Sequence, residues 1–157
     1  LSERQEEKRL PLYWKKMGRK HTINIAKENR MPFISEEDLA EYVYFLHDKA
    51  VDTAEIAFSM KSKDSEIDKD DGEYLKRLFQ RSYEAEIRAA DHADQIREEL
   101  EPTTSILYRS AAHLAHNAGM LVEAKAAAEM CLAGKFAGEF REELMPYIEA
   151  TMQGREQ

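Results

Sequence analysis

Apolar residues recur at spacings of three and four over most of this chain, and no segment alternates with the period of two that marks a strand. From Leu12 to Asn29 the helical pattern is weak, with Gly18 inside it and Tyr13, Trp14, Met17, Ile23, Ile25 and Ala26 as its apolar positions. Met31-Pro32 interrupts it, because the residue before a proline is pushed out of the helical region. Ser35 is a good N-cap, followed by Glu36, Glu37 and Asp38 in the first turn, where the helix dipole favours negative charge. Leu39, Val43, Leu46, Ala50, Ala54 and Ala57 then predict a helix to about Lys61. Residues 62–72 read as a polar, acidic loop. A long helix is expected over 73–100, with Leu75, Leu78, Phe79, Ser82, Ala89, Ala93, Ile96 and Leu100 on one face and Glu101-Pro102 as its end.

The most informative stretch follows. Thr103 or Thr104 is expected to cap a helix running to Asn117, and Asn117-Ala118-Gly119 reads as a turn with Gly119 free to take positive φ. A second helix is expected over 121–133, ending at Gly134. A last one is expected over 137–152, bent or shortened by Pro146. Small residues at close spacing on both middle helices imply backbones that pack closely. The expected fold is all-α: five or six helices in antiparallel hairpins.

The hairpin 104–134 resembles a tetratricopeptide repeat. Tyr108 stands where that repeat carries its large aromatic, and Ala111, Ala112 and Ala115 stand at its leucine, glycine and tyrosine positions. Gly119 matches the turn glycine; Leu121, Glu123 and Ala124 match the run after the turn; Ala128 and Cys131 fall at the remaining packing positions. Alanine replaces the usual large residue at 111, 115 and 128, and Phe136 stands where the closing proline is expected. The match covers about one fifth of the chain, and no second clear repeat is found, which argues against a regular long solenoid. The run from Glu101 to Gly134, with Glu139–Leu144 after it, is also similar to the C-terminal part of a family of uncharacterised bacterial helical proteins. That resemblance implies a helical fold and a bacterial origin, and no activity.

What the repeat resemblance implies is a binding face. Its first helix would line a concave surface, with Ile106, Arg109, His113 and His116 as one stripe at spacings of three and four. Arg109 offers a planar fork for a carboxylate or phosphate, and the histidines donate, accept or titrate near neutral pH. An acidic peptide is the expected partner, and the expected role is a non-enzymatic adaptor or scaffold.

Composition narrows the alternatives. The chain has 157 residues, 43% apolar, enough for one domain with a sizeable core. No apolar run reaches the roughly 18–20 residues that span a bilayer, so no membrane partner is expected. The single cysteine, Cys131, allows no intrachain disulfide and reads as a small core residue in a reducing, cytoplasmic compartment. Net charge is −8, unevenly spread. Residues 1–30, a basic N-terminal arm, hold nine Lys/Arg against four Asp/Glu; residues 31–157, the acidic body, hold fourteen against twenty-seven. Within the arm, Lys15, Lys16, Arg19 and Lys20 sit near Tyr13 and Trp14. Such interleaving can grip single-stranded nucleic acid, dock a partner protein, or lie against the chain's own acidic body.

Other chemistry is not favoured. Asp64, Glu66, Asp68, Asp70 and Asp71 give no EF-hand frame. His113 and His116 have the spacing of a two-histidine metal pair without further ligands in view, so no metal and no cofactor are expected. Asp91, His92 and Asp94 point in different directions on a helix and read as a solvated face. Arg109 and His113 resemble only in part the arginine–histidine pair of HEPN-type ribonucleases, being one residue too close. An RNA-binding protein or weak ribonuclease is the second reading, although an acidic body repels RNA. A structural fragment of a larger complex is the third.

Overall fold

A computed structural model describes residues 35–63 and 68–156, and it is all-α. The expected helix over 12–29 and the basic arm lie outside these residues. Among the described residues six helices follow one another: α1 (Glu36–Lys63), α2 (Lys69–Asp94), the single turn α3 (Arg97–Leu100), α4 (Thr103–Asn117), α5 (Leu121–Leu132) and α6 (Ala137–Glu156). Packing is sequential: α1 on α2, α2 on α4, α4 on α5, and α5 on α6, which also touches α4.

The first two helices start at side-chain caps. Asp38 N donates to Ser35 Oγ at 3.1 Å, as the sequence suggests for α1. At α2, Asp71 N donates to Asp68 Oδ1 at 2.8 Å, so the helix begins four residues before the expected Glu73, inside the stretch read as loop. An acidic cluster that looks like solvated loop is here a cap and a first turn. The long helix is also not continuous. It stops at Asp94, the chain turns at Gln95 and Ile96, and α3 takes it to Leu100.

The start of α4 differs most from expectation. Neither threonine caps it. Thr104 is buried, and its Oγ1 has no hydrogen-bond partner. Glu101 does the capping: Ser105 N donates to Glu101 Oε1 at 2.8 Å and Ser105 Oγ donates to Oε2 at 2.7 Å. Arg97 closes this corner, donating to Asp94 and to the Met130 carbonyl at 2.9 Å. At the other end of α4, Gly119 has φ +78°. Met120 N donates to Ala115 O and Gly119 N to His116 O, the paired bonds of a Schellman ending. The last helix runs through Pro146 without being shortened there, correcting that alternative.

The core joins Leu39, Tyr42, Val43 and Leu46 of α1 to Tyr108 of α4, Cys131 of α5 and Leu144 of α6. Where α2 meets α4, Ala89, Ala90 and Ala93 on one helix share the main core with Ala111 and Ala112 on the other, while Leu78 and Phe79 of α2 meet Leu114 of α4 in a second cluster. Of the apolar positions matched to the repeat, Tyr108, Ala111, Ala112, Ala115, Ala124, Ala128 and Cys131 are buried and Leu121 is exposed. No described helix is long and apolar enough to cross a membrane.

Candidate binding groove

The walls of a groove of about 460 Å³ come from α1 and α4, with Glu86 of α2 also lining it. Ala50, Val51, Ala54, Glu55 and Phe58 stand on the α1 side with His47; Arg109, Ser110, His113 and Leu114 stand on the α4 side. Val51 and Phe58 remain exposed despite being apolar. Phe58 meets the buried Phe79 ring edge-on at 5.0 Å, which fixes its position. A bridge from Lys61 Nζ to Asn117 Oδ1 at 2.9 Å ties the C-terminal parts of the two wall helices together.

Four of the groove's polar groups, His47, Glu86, Arg109 and His113, are already paired. Glu86 is almost fully buried and lies 2.8 Å from His47 Nδ1. Burial pushes the Glu86 carboxyl above its usual range, and the Glu86 hydrogen bond raises His47. Across the groove, Arg109 grips Glu143 of α6 in two-point fashion through Nε and Nη2. That contact holds Glu143 below the usual carboxylate range. His113 is bound at both ring nitrogens, by Glu143 through Nε2 at 2.8 Å and by the Tyr147 hydroxyl at Nδ1.

The stripe expected from the sequence therefore divides. Arg109 and His113 line the groove and also contact α6. His116 packs against the Tyr147 ring, 4.6 Å between centroids, and does not line the groove. Ile106 is exposed and outside it. The arm residues Tyr13, Trp14, Lys15, Lys16, Arg19 and Lys20 lie outside the described residues. Sequence reasoning missed His47 and Glu86, which are 39 residues apart; a glutamate on an otherwise apolar face of α2 was the available signal.

Of the three groups read as a solvated face, Asp91 is exposed, while His92 and Asp94 are partly covered. Asp91 accepts from the Tyr108 hydroxyl at 2.7 Å, and Asp94 accepts from Arg97. His92 sits edge-on to Tyr42, and burial pushes it down to about 4. Among the described residues no group of three or more His, Cys, Asp or Glu is placed to hold a metal ion. Burial pushes the Cys131 thiol up to about 11, so it remains protonated near neutral pH. No protein-family model matches the chain, and neither a curated protein nor a solved structure matches it.

Proposed function

We propose that this chain is a non-enzymatic interaction module, a tetratricopeptide-like adaptor or scaffold, that holds a segment of a partner protein in the α1–α4 groove. The observation that carries the reading is the groove itself. It has apolar walls with Val51 and Phe58 left exposed, and fixed polar groups at Arg109 and His113. Pockets that bind by shape have this composition: mostly apolar, with a few polar groups that set orientation. The tetratricopeptide resemblance supports the same face, since its first helices line the concave side and α1 and α4 are the first helices of the two hairpins here.

An apolar partner side chain would seat against Ala54, Phe58 and Leu114. Glu143 already neutralises Arg109. A neutral acceptor, such as a backbone carbonyl, therefore suits Arg109 better than the acidic group expected from the sequence. The test is a tagged pull-down from native lysate, with and without nuclease, comparing wild type with Phe58→Asp and Arg109→Ala. One protein that survives nuclease and is lost in both folded variants supports the reading. Equal recovery by both variants overturns it, and recovery that depends on nucleic acid replaces it with RNA binding.

A further inference from the structure

The charge of the groove is not that of an acid receptor. Its basic groups are each matched: Arg109 by Glu143, and His47 by Glu86. Glu55, exposed on the α1 wall, makes no ion pair among the described residues. Within the lining, the charge left without a counter-charge is that of Glu55, beside the exposed apolar Val51 and Phe58. The complementary ligand is a segment with large apolar side chains interleaved with cations.

This chain contains such a segment. Tyr13, Trp14 and Met17 are interleaved with Lys15, Lys16, Arg19 and Lys20, in a region of net positive charge joined to an acidic body. We propose that the groove is occupied by the chain's own segment 12–20, with Trp14 seated against Val51 and Phe58 and the lysines beside Glu55. Reach permits it. Some fifteen residues separate Lys20 from Ser35 and span up to about 50 Å when extended, whereas the rise of α1 from Glu36 to Phe58 is about 33 Å. Tethering gives the segment an effective concentration on the order of millimolar, so weak contacts suffice.

The regulatory meaning rests on the proposed function: an outside partner must displace an internal competitor, and basic-apolar partner segments compete best. The docking itself needs no partner to be observed. Trp14 is the only tryptophan, so its fluorescence in the full chain reports its surroundings directly.

In wild type, Trp14 emission is expected to be blue-shifted and protected from acrylamide. In Val51→Asp and Phe58→Asp it should move to the red and become quenchable, while far-UV circular dichroism stays helical. Lys15→Glu with Lys16→Glu should do the same from the other side. Val122→Asp, at an exposed position on α5 outside the groove, should leave emission unchanged. Solvent-like emission in wild type overturns the proposal, as does blue emission that neither groove variant moves. A shift that depends on protein concentration overturns it in favour of docking between two copies. Loss of partner capture in Phe58→Asp, with Trp14 solvent-exposed throughout, would sink this inference and leave the adaptor reading standing.

Discussion

His47 Nδ1 lies 2.8 Å from Oε1 of Glu86, a carboxylate with only 3% of its side chain exposed. The pair spans α1 and α2 beneath the groove, so its charge state links stability to pH. The Glu86 hydrogen bond raises His47 above its ordinary 6.5. Protonated His47 therefore contributes stability that is present below 6.5 and lost as pH rises through its raised value. The urea midpoint, followed by circular dichroism, should fall across that range. Glu86→Gln should flatten the slope and stay within about 1 kcal/mol of wild type at neutral pH. His47→Ala strands the buried carboxylate and should cost about 1–3 kcal/mol.

His92 sets the acid side. Burial is the main cause of its fall to about 4, with the Arg88 charge adding to it. Between 6.5 and about 4 the unfolded chain takes a proton that the folded chain refuses, so stability falls as pH drops through that window. The loss is at most about 3 kcal/mol. A His92→Phe variant should lose this slope in urea titrations at a series of pH values, and an unchanged slope would assign it to other groups.

Two glycines should respond differently to alanine. A Cβ on Gly134 would lie 2.5 Å from Arg97 Nη2 and 3.0 Å from both Glu101 Oε2 and Ser105 Oγ. Gly134→Ala must push apart the group that starts α4, at a cost of about 1–3 kcal/mol. Gly138, on the first turn of α6, has nothing within 4 Å of the same position. Gly138→Ala should be neutral or stabilise by up to about 1 kcal/mol. Thermal melts are the check: the midpoint should fall in Gly134→Ala and hold or rise in Gly138→Ala.

Arg109 and Glu143 are 40% and 35% exposed, so water screens their two-point pairing. A double-mutant cycle with Arg109→Ala and Glu143→Ala should give a coupling of about 0.2–1 kcal/mol. A folded Arg109→Ala protein is what the capture experiment needs. A coupling above about 2 kcal/mol would mean that lost capture reports unfolding rather than a lost contact.

The fold was legible where the signal is local. Ser35, Gly119 and the three-and-four spacing of Leu39, Val43 and Leu46 each act within a turn or two of themselves, and α1, α4 and α5 stand close to where that pattern puts them. The break after Asp94 carries no proline or glycine. It coincides with Arg97 reaching back to Asp94 and across to Met130, a contact 33 residues distant. Glu101 as the cap of α4 was hidden for a related reason: two threonines are the stronger local signal, and burial of Thr104 overrides it.

The candidate site was legible only in half. Periodicity placed Arg109 and His113 on one stripe, but their partners Glu143 and Tyr147 lie 30–34 residues away on α6. Spacing within one helix shows which residues share a face. It does not show which helix that face meets, and here the answer decides how much of the stripe is left for a ligand.

The alanine seam between α2 and α4 bears on selectivity. Both groove walls hang from α2, which packs directly on α1 and on α4, and the α2–α4 contact includes Ala89, Ala90 and Ala93 in one core cluster with Ala111 and Ala112. Side chains this short have no rotamers with which to absorb a change, and close-packed interiors register a single added methylene. The seam therefore acts as a gauge for the distance between the walls. One enlarged alanine there would widen the mouth without altering any residue that lines it. Ligand preference in this architecture can drift through buried positions, under the same constraint that keeps the helices together.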